Sequence, residues 1–120
     1  MRKIFWGWFA SLFIGGCNLG SVTEDNYFQS YAQSQCVVYK RCYRARFDGE
    51  YNGMTRCVDE VSEDLADEKQ TLFPDCTFDE EQAQICLNLL NSSTCEEHWD
   101  DQNEIYSSCH EDIWDCPQVN

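Results

Sequence analysis

Residues 54–68 read MTRCVDEVSEDLADE. Met54, Cys57, Val58, Val61 and Leu65 stand at i, i+3, i+4, i+7 and i+11, the repeat of one face of an α-helix. Asp59, Glu60, Glu63, Asp64, Asp67 and Glu68 fill the remaining faces, so the helix presents an apolar stripe to a core and carboxylates to water. A segment of this kind cannot bury its stripe alone and requires other helices to pack against.

The flanking sequence supplies them. Towards the N-terminus, Phe28, Tyr31, Ala32, Cys36, Tyr39, Cys42 and Tyr43 recur at three- and four-residue steps, which predicts a helix from Glu24 to about Arg44. Ser21 or Thr23 can cap its start, and Lys40, Arg41 and Arg44 complement its negative end. Phe47–Gly53, FDGEYNG, carries Gly49 and the Asn52-Gly53 pair and reads as the reversing loop. Towards the C-terminus, Phe73-Pro74 ends the acidic helix, and Asp79-x-x-Gln82 is a capping box before Ala83, Cys86, Leu87, Leu89 and Leu90. Asn91-Ser92 reads as a turn, Ser93-x-x-Glu96 as the cap of a short helix with Cys95 and Trp99, and Ile105–Trp114 as a last helical stretch stopped by Cys116-Pro117. No alternating strand pattern of useful length occurs. The expected fold is all-α: a bundle of about four helices over residues 24–120, stabilised by disulfides.

Nine cysteines, at 17, 36, 42, 57, 76, 86, 95, 109 and 116, leave one over after pairing. Setting Cys17 apart leaves eight for four disulfides: Cys36, Cys42, Cys57, Cys76, Cys86, Cys95, Cys109 and Cys116. Cys36 and Cys42 share a predicted helix, about 9 Å apart along its axis at 1.5 Å per residue, which is beyond the about 7 Å Cα separation a disulfide tolerates. They therefore take different partners. Cys42 with Cys57, and Cys86 with Cys95, are the pairs expected from the reversing segments between them. The spacing lacks the Cys-x2-Cys of structural zinc sites.

The odd cysteine belongs to the opening residues, MRKIFWGWFASLFIGGC: Arg2 and Lys3, an uncharged run from Ile4 to Ile14, then Gly15-Gly16 before Cys17. That run is 11 residues long, short of the about 20 a membrane-spanning helix needs. The segment resembles the lipobox of bacterial lipoprotein signals, with Ile14 where Leu is usual. The resemblance implies export, diacylglyceryl transfer to the Cys17 thiol and cleavage before it. It divides the chain into a signal peptide at 1–16, a lipidated cysteine and tether at 17–23 and the domain at 24–120. Asn18 after the cysteine, rather than Asp, points in that family to the outer membrane. An exported, lipid-anchored location in the bacterial cell envelope also suits disulfides.

Removing residues 1–16 leaves six basic against 22 acidic residues, a net charge of −16. Nucleic acid is excluded as a partner, since phosphate binding requires a basic footprint. Lys40, Arg41, Arg44, Arg46 and Arg56 could face an anionic surface, but neutralising nearby acids accounts for them as well. Asp48-x-Glu50-x-Asn52-Gly53, followed by Asp59, overlays the oxygen positions of a calcium loop, although a polar turn explains the same letters. His98 and His110 have carboxylates beside them in sequence and read as exposed helical residues. Tyr27, Tyr31, Tyr39, Tyr43, Trp99 and Trp114 read as core or semi-core, and a cluster of them left exposed would mark a binding face. No hydrolase or phosphate-loop motif occurs in residues 17–120.

Cys76-x-Phe78-Asp79, Ala83-x-x-Cys86-Leu87-x-x-Leu90 and Cys109-x4-Ile113-Trp114-x-Cys116 resemble small cysteine-rich lipoproteins of myxobacteria-like lineages. That resemblance implies a fold class and no activity. The expectation is a lipid-anchored, non-catalytic module without cofactor, held to the membrane and binding a protein or polymer of the envelope. The alternatives are a calcium-binding protein using Asp48, Glu50, Asn52 and Asp59, and an inhibitor of an envelope hydrolase presenting a rigid loop at Phe47–Gly53 or Thr71–Phe78.

Overall fold

A computed structural model describes residues 22–117. The signal at 1–16, Cys17 and most of the tether lie outside the described residues. The described chain is α1 (Glu24–Cys42), α2 (Arg44–Glu50), α3 (Met54–Leu72), β1 (Thr77–Phe78), α4 (Glu80–Ser92), α5 (Cys95–Asp100), α6 (Gln102–Tyr106), a π-helical turn (Ser107–Glu111) and β2 (Trp114–Asp115). Helix α1 is central and packs against α3, α4 and α5.

The apolar stripe of the acidic helix behaves as its spacing requires. Cys57 and Leu65 of α3 are buried, with Val61 packed beside them. The main core gathers Tyr27 and Val38 from α1, Leu65 from α3, Leu87 and Leu90 from α4, and Ile105 and Ile113 from the C-terminal segment. Tyr27 is fully enclosed, and its hydroxyl donates to the Cys109 carbonyl at 2.8 Å, which removes the cost of burying it. Asp79 caps α4, accepting from the Gln82 amide at 3.1 Å, but the reciprocal half of the expected capping box is not made, because the Asp79 amide donates to the Ile113 carbonyl at 2.8 Å instead.

Three boundaries differ from expectation. The first predicted helix ends at Cys42; Tyr43 leaves helical geometry, and residues expected as a loop form α2. Gly49 does not break α2, because Arg44–Asp48 and Arg46–Glu50 pair at i, i+4 and Phe47 is buried in a second cluster with Cys36 and Cys57. Reversal falls instead on Gly53, whose φ of +125° suits glycine. Helix α4 runs through the expected turn to Ser92, and the α5 cap is Thr94, whose hydroxyl accepts from the Glu97 amide at 3.1 Å while Glu97 accepts from the Thr94 amide at 2.9 Å. The last helical stretch starts at Gln102 and widens into the π turn. Trp114-Asp115 then pairs antiparallel with Thr77-Phe78, Phe78 opposite Trp114. Among the described residues there are thus six α-helices and a two-stranded ribbon, where about four helices and no strand were expected.

All eight domain cysteines are paired: Cys36–Cys57, Cys42–Cys95, Cys76–Cys116 and Cys86–Cys109. Cys36 and Cys42 do take different partners, but the expected Cys42–Cys57 and Cys86–Cys95 pairs are not formed. Helix α2 separates Cys42 from the start of α3, and Cys57 lies instead on the α3 face packed against α1, opposite Cys36. Cys86 points into the core toward the π turn, where Cys109 meets it, leaving Cys95 at the start of α5 for the end of α1. No helix among the described residues is long and apolar enough to cross a membrane.

Candidate functional site

Two rows of four-residue spacing face each other. On and just beyond α1 stand Tyr31, Gln35, Tyr39 and Tyr43; on α6 and the π turn stand Gln102, Tyr106 and His110. Each step climbs about 6 Å along a helix, so each row lines one side of a groove. The rows enclose two adjoining volumes of about 210 and 290 Å³, sharing Tyr31, Gln35, Tyr39, Tyr106 and His110. The smaller opens toward Arg46, His98 and Trp99, the larger toward Tyr51, Asp64 and Glu68 of the α2–α3 side.

The histidines, twelve positions apart in sequence, come to this one cleft. His98 is buried rather than exposed, and its Nδ1 shares a 2.9 Å hydrogen bond with the Tyr43 hydroxyl. Burial first, and then the Arg41 guanidinium, lower its pKa, so it is uncharged at neutral pH. His110 bridges two elements: Nδ1 lies 2.8 Å from Glu68 Oε1 on α3 and Nε2 lies 2.9 Å from the Tyr31 hydroxyl on α1. A carboxylate only accepts, so Nδ1–H donates to Glu68. Burial first, then nearby tyrosines and Glu68, hold the Tyr31 phenol protonated far above its ordinary range. The extra residue of the π turn, marked by the Asp112 amide donating to Ser107 O, lies in the segment that carries His110. His110 stacks on Tyr106, rings 4.5 Å apart and 9° from parallel.

The cleft is aromatic and open. Trp99 is 61% and Tyr106 47% exposed, and Tyr39 stacks on Tyr51 with centroids 6.2 Å apart. Glu68 is the first cause of an upward shift in the Tyr106 pKa, so the cleft carries a negative field on that side. At its floor, Gln35 is 6% exposed, and its Oε1 is enclosed with no hydrogen-bond partner among the described residues. A buried amide oxygen left unpaired costs about 1–3 kcal/mol.

Other candidates are placed differently. Asp48 and Glu50 sit on helix α2, held by Arg44 at 3.3 Å and Arg46 at 3.1 Å, while Asn52 is in the following bend and Asp59 on α3. The calcium loop is therefore not formed, because Arg44–Glu50 is helical where the motif needs turns. Among the described residues no three His, Cys, Asp or Glu groups are positioned to hold a metal ion together. Arg56 pairs with Glu60 and Arg41 donates to Ser93 O at 3.2 Å, so these cations neutralise or tie down local structure. Of the two loops considered for an inhibitor, Phe47–Gly53 is largely helix with Phe47 buried, and Thr71–Phe78 is end of α3, a turn and β1, fastened by Cys76–Cys116.

The cleft was not expected from the sequence. Its legible signal was the four-residue ladder Tyr31, Gln35, Tyr39, Tyr43, in which a glutamine replaces an apolar residue on an otherwise aromatic face. Comparison with known protein families, curated proteins and solved structures returns no match for this chain.

Proposed function

We propose that the chain is a lipid-anchored binding module of the bacterial cell envelope, tethered through Cys17 and offering the aromatic cleft between α1 and α6 to a ligand. The observation that carries the binding role is the cleft itself: exposed Trp99 and Tyr106 above the buried Gln35, whose Oε1 has no hydrogen-bond partner among the described residues. Aromatic surface left open over an unsatisfied polar floor is what a binding site requires and a core avoids. Two of the four disulfides fasten the cleft walls, since Cys42–Cys95 ties α5 to α1 and Cys86–Cys109 ties the π turn to α4. Such a scaffold is suited to an oxidising compartment. The resemblance of Ile14-Gly15-Gly16-Cys17 to a lipobox supports the anchor, and three acyl chains at about 0.8 kcal/mol per buried methylene would make it permanent.

The test is expression in a bacterial host with labelled palmitate. The parent chain should take up label and sediment with membranes, whereas Cys17→Ser should be unlabelled and released while keeping four disulfides. A Cys17→Ser chain that still sediments with membranes would refute the anchor.

A further inference from the structure

Resting on the binding-module reading, we infer that the smaller volume of the cleft takes a neutral sugar, one pyranose ring laid with its C–H face on Trp99 and Tyr106. Both side chains line that volume of about 210 Å³, and both leave ring surface in water: Trp99 is 61% and Tyr106 47% exposed. His110 stacks on one face of Tyr106 at 4.5 Å, so the exposed surface is the other face and the edge. Trp99 meets Tyr43 obliquely, centroids 6.3 Å apart and planes at 46°, so Tyr43 does not cover the indole as a parallel ring would. The face of an aromatic ring is its negative region. The C–H bonds of a sugar ring, drawn positive by the neighbouring oxygens, lie on such a face while the hydroxyls reach outward to polar groups.

Charge and hydrogen bonding decide between occupants. Among the described residues no carboxylate lines the smaller volume; Asp64 and Glu68 line its larger neighbour, where the His110 Nδ1–H already holds Glu68 at 2.8 Å. On the cationic side, His98 is neutral at neutral pH, and Arg46 and His110 each have a carboxylate beside them, Glu50 at 3.1 Å and Glu68 at 2.8 Å. An ion entering here would give up hydration without an unpaired counter-charge to replace it. The polar groups that remain are uncharged. Gln102 spends one N–H on the Trp99 carbonyl at 3.1 Å and keeps a second N–H and a carbonyl oxygen, and the hydroxyl of the half-buried Tyr39 both donates and accepts. Sugar hydroxyls, donors and acceptors at once, answer both kinds of group. A proline-rich strand also suits aromatic grooves, but it brings carbonyl acceptors without donors and asks for a groove several residues long. This volume is below the about 300 Å³ at which pockets for drug-sized ligands begin.

The full chain, in micelles of a polyoxyethylene detergent that carries no sugar, is titrated with cellotriose, triacetylchitotriose and mannotriose, with the cationic chitotriose and the anionic trigalacturonate, and with nonaproline. Calorimetry gives the affinity, and saturation transfer from aromatic protons shows which ligand protons touch the rings. At least one neutral trisaccharide should bind with a Kd below about 10 mM, with transfer strongest to the C–H protons of one ring face and with equal affinity at low and high salt. Trp99→Ala should weaken it about tenfold and Trp99→Phe about twofold; Gln102→Ala should weaken it about fivefold. Both side chains are exposed, so these variants should melt as the parent does. A trisaccharide binding above its monosaccharide would identify a polymer, and the reverse order a free sugar; both support the site. No neutral saccharide binding by about 10 mM, sugar binding that Trp99→Ala leaves unchanged, or a charged trisaccharide binding above the neutral ones overturns the inference. Nonaproline binding above every sugar, and lost in Trp99→Ala, overturns it too while leaving the binding-module reading standing; the anchor is judged separately by Cys17→Ser.

Discussion

Replacing Cys42 and Cys95 together by serine tests how this domain holds its shape. The pair closes a loop of 53 residues, the longest of the four. Restricting the unfolded chain over that length is worth about 4 kcal/mol at 25 °C by loop-closure entropy. Rerouting through the remaining bridges shortens the effective loop only to about 40 residues, which changes the figure by a few tenths of a kcal/mol because the dependence is logarithmic. Cys42 is half-buried and Cys95 exposed, so serine leaves little cavity and can meet water. The cost should therefore be almost purely that of freeing the unfolded chain. Against the about 5–15 kcal/mol that stabilises an ordinary domain, it is a large fraction. Urea unfolding followed by tryptophan fluorescence should show a loss of about 4 kcal/mol. The m-value should rise, because the freed chain exposes more surface when it opens. A loss below about 1 kcal/mol with an unchanged m-value would refute the reasoning, since the bridge would then not be constraining the unfolded ensemble.

Two further outcomes follow from the packing. His98 has a lowered pKa in the folded chain, so the unfolded chain takes up its proton first as pH falls through about 6.5, and stability contributed by the neutral ring is lost from there downward. Urea unfolding at pH 7.5 and 5 should show a smaller acid loss for His98→Asn than for the parent; equal losses would contradict the assignment. Leu90 is fully buried in the main core, and Leu90→Ala should cost about 2–5 kcal/mol in the same assay; a cost below about 1 kcal/mol would mean that the core collapses around the site.

How much was legible depends on the range of the interaction that decides each feature. Helices α3 and α4 could be read because a stripe such as Met54, Cys57, Val61, Leu65 and a cap such as Asp79 act within a few turns of chain. Helix α2 is not legible in the sequence because Gly49 disfavours it locally, whereas two arginine–carboxylate pairs and the burial of Phe47 against Cys36 and Cys57 hold it in the fold. The disulfide partners expected across turns were wrong for a related reason. Nearness along the chain placed Cys42 beside Cys57, but the face each cysteine turns toward the core selects its partner. The cleft was hidden for the same cause, since its tyrosines read as core positions and its histidines as separate surface residues.

By itself the sequence determined the helical class, the two long helices α1 and α3, the cap of α4 and the parity that leaves one cysteine over from the eight that pair. These rest on periodicity, composition and counting, none of which requires knowing what lies across the core. Only the tertiary structure decided which cysteines meet, that Phe78 pairs with Trp114, and that Tyr31, Gln35, Tyr106 and His110 line one groove. Those outcomes depend on how helix faces are rotated against one another, and that rotation is set by packing the whole core at once rather than by any single segment.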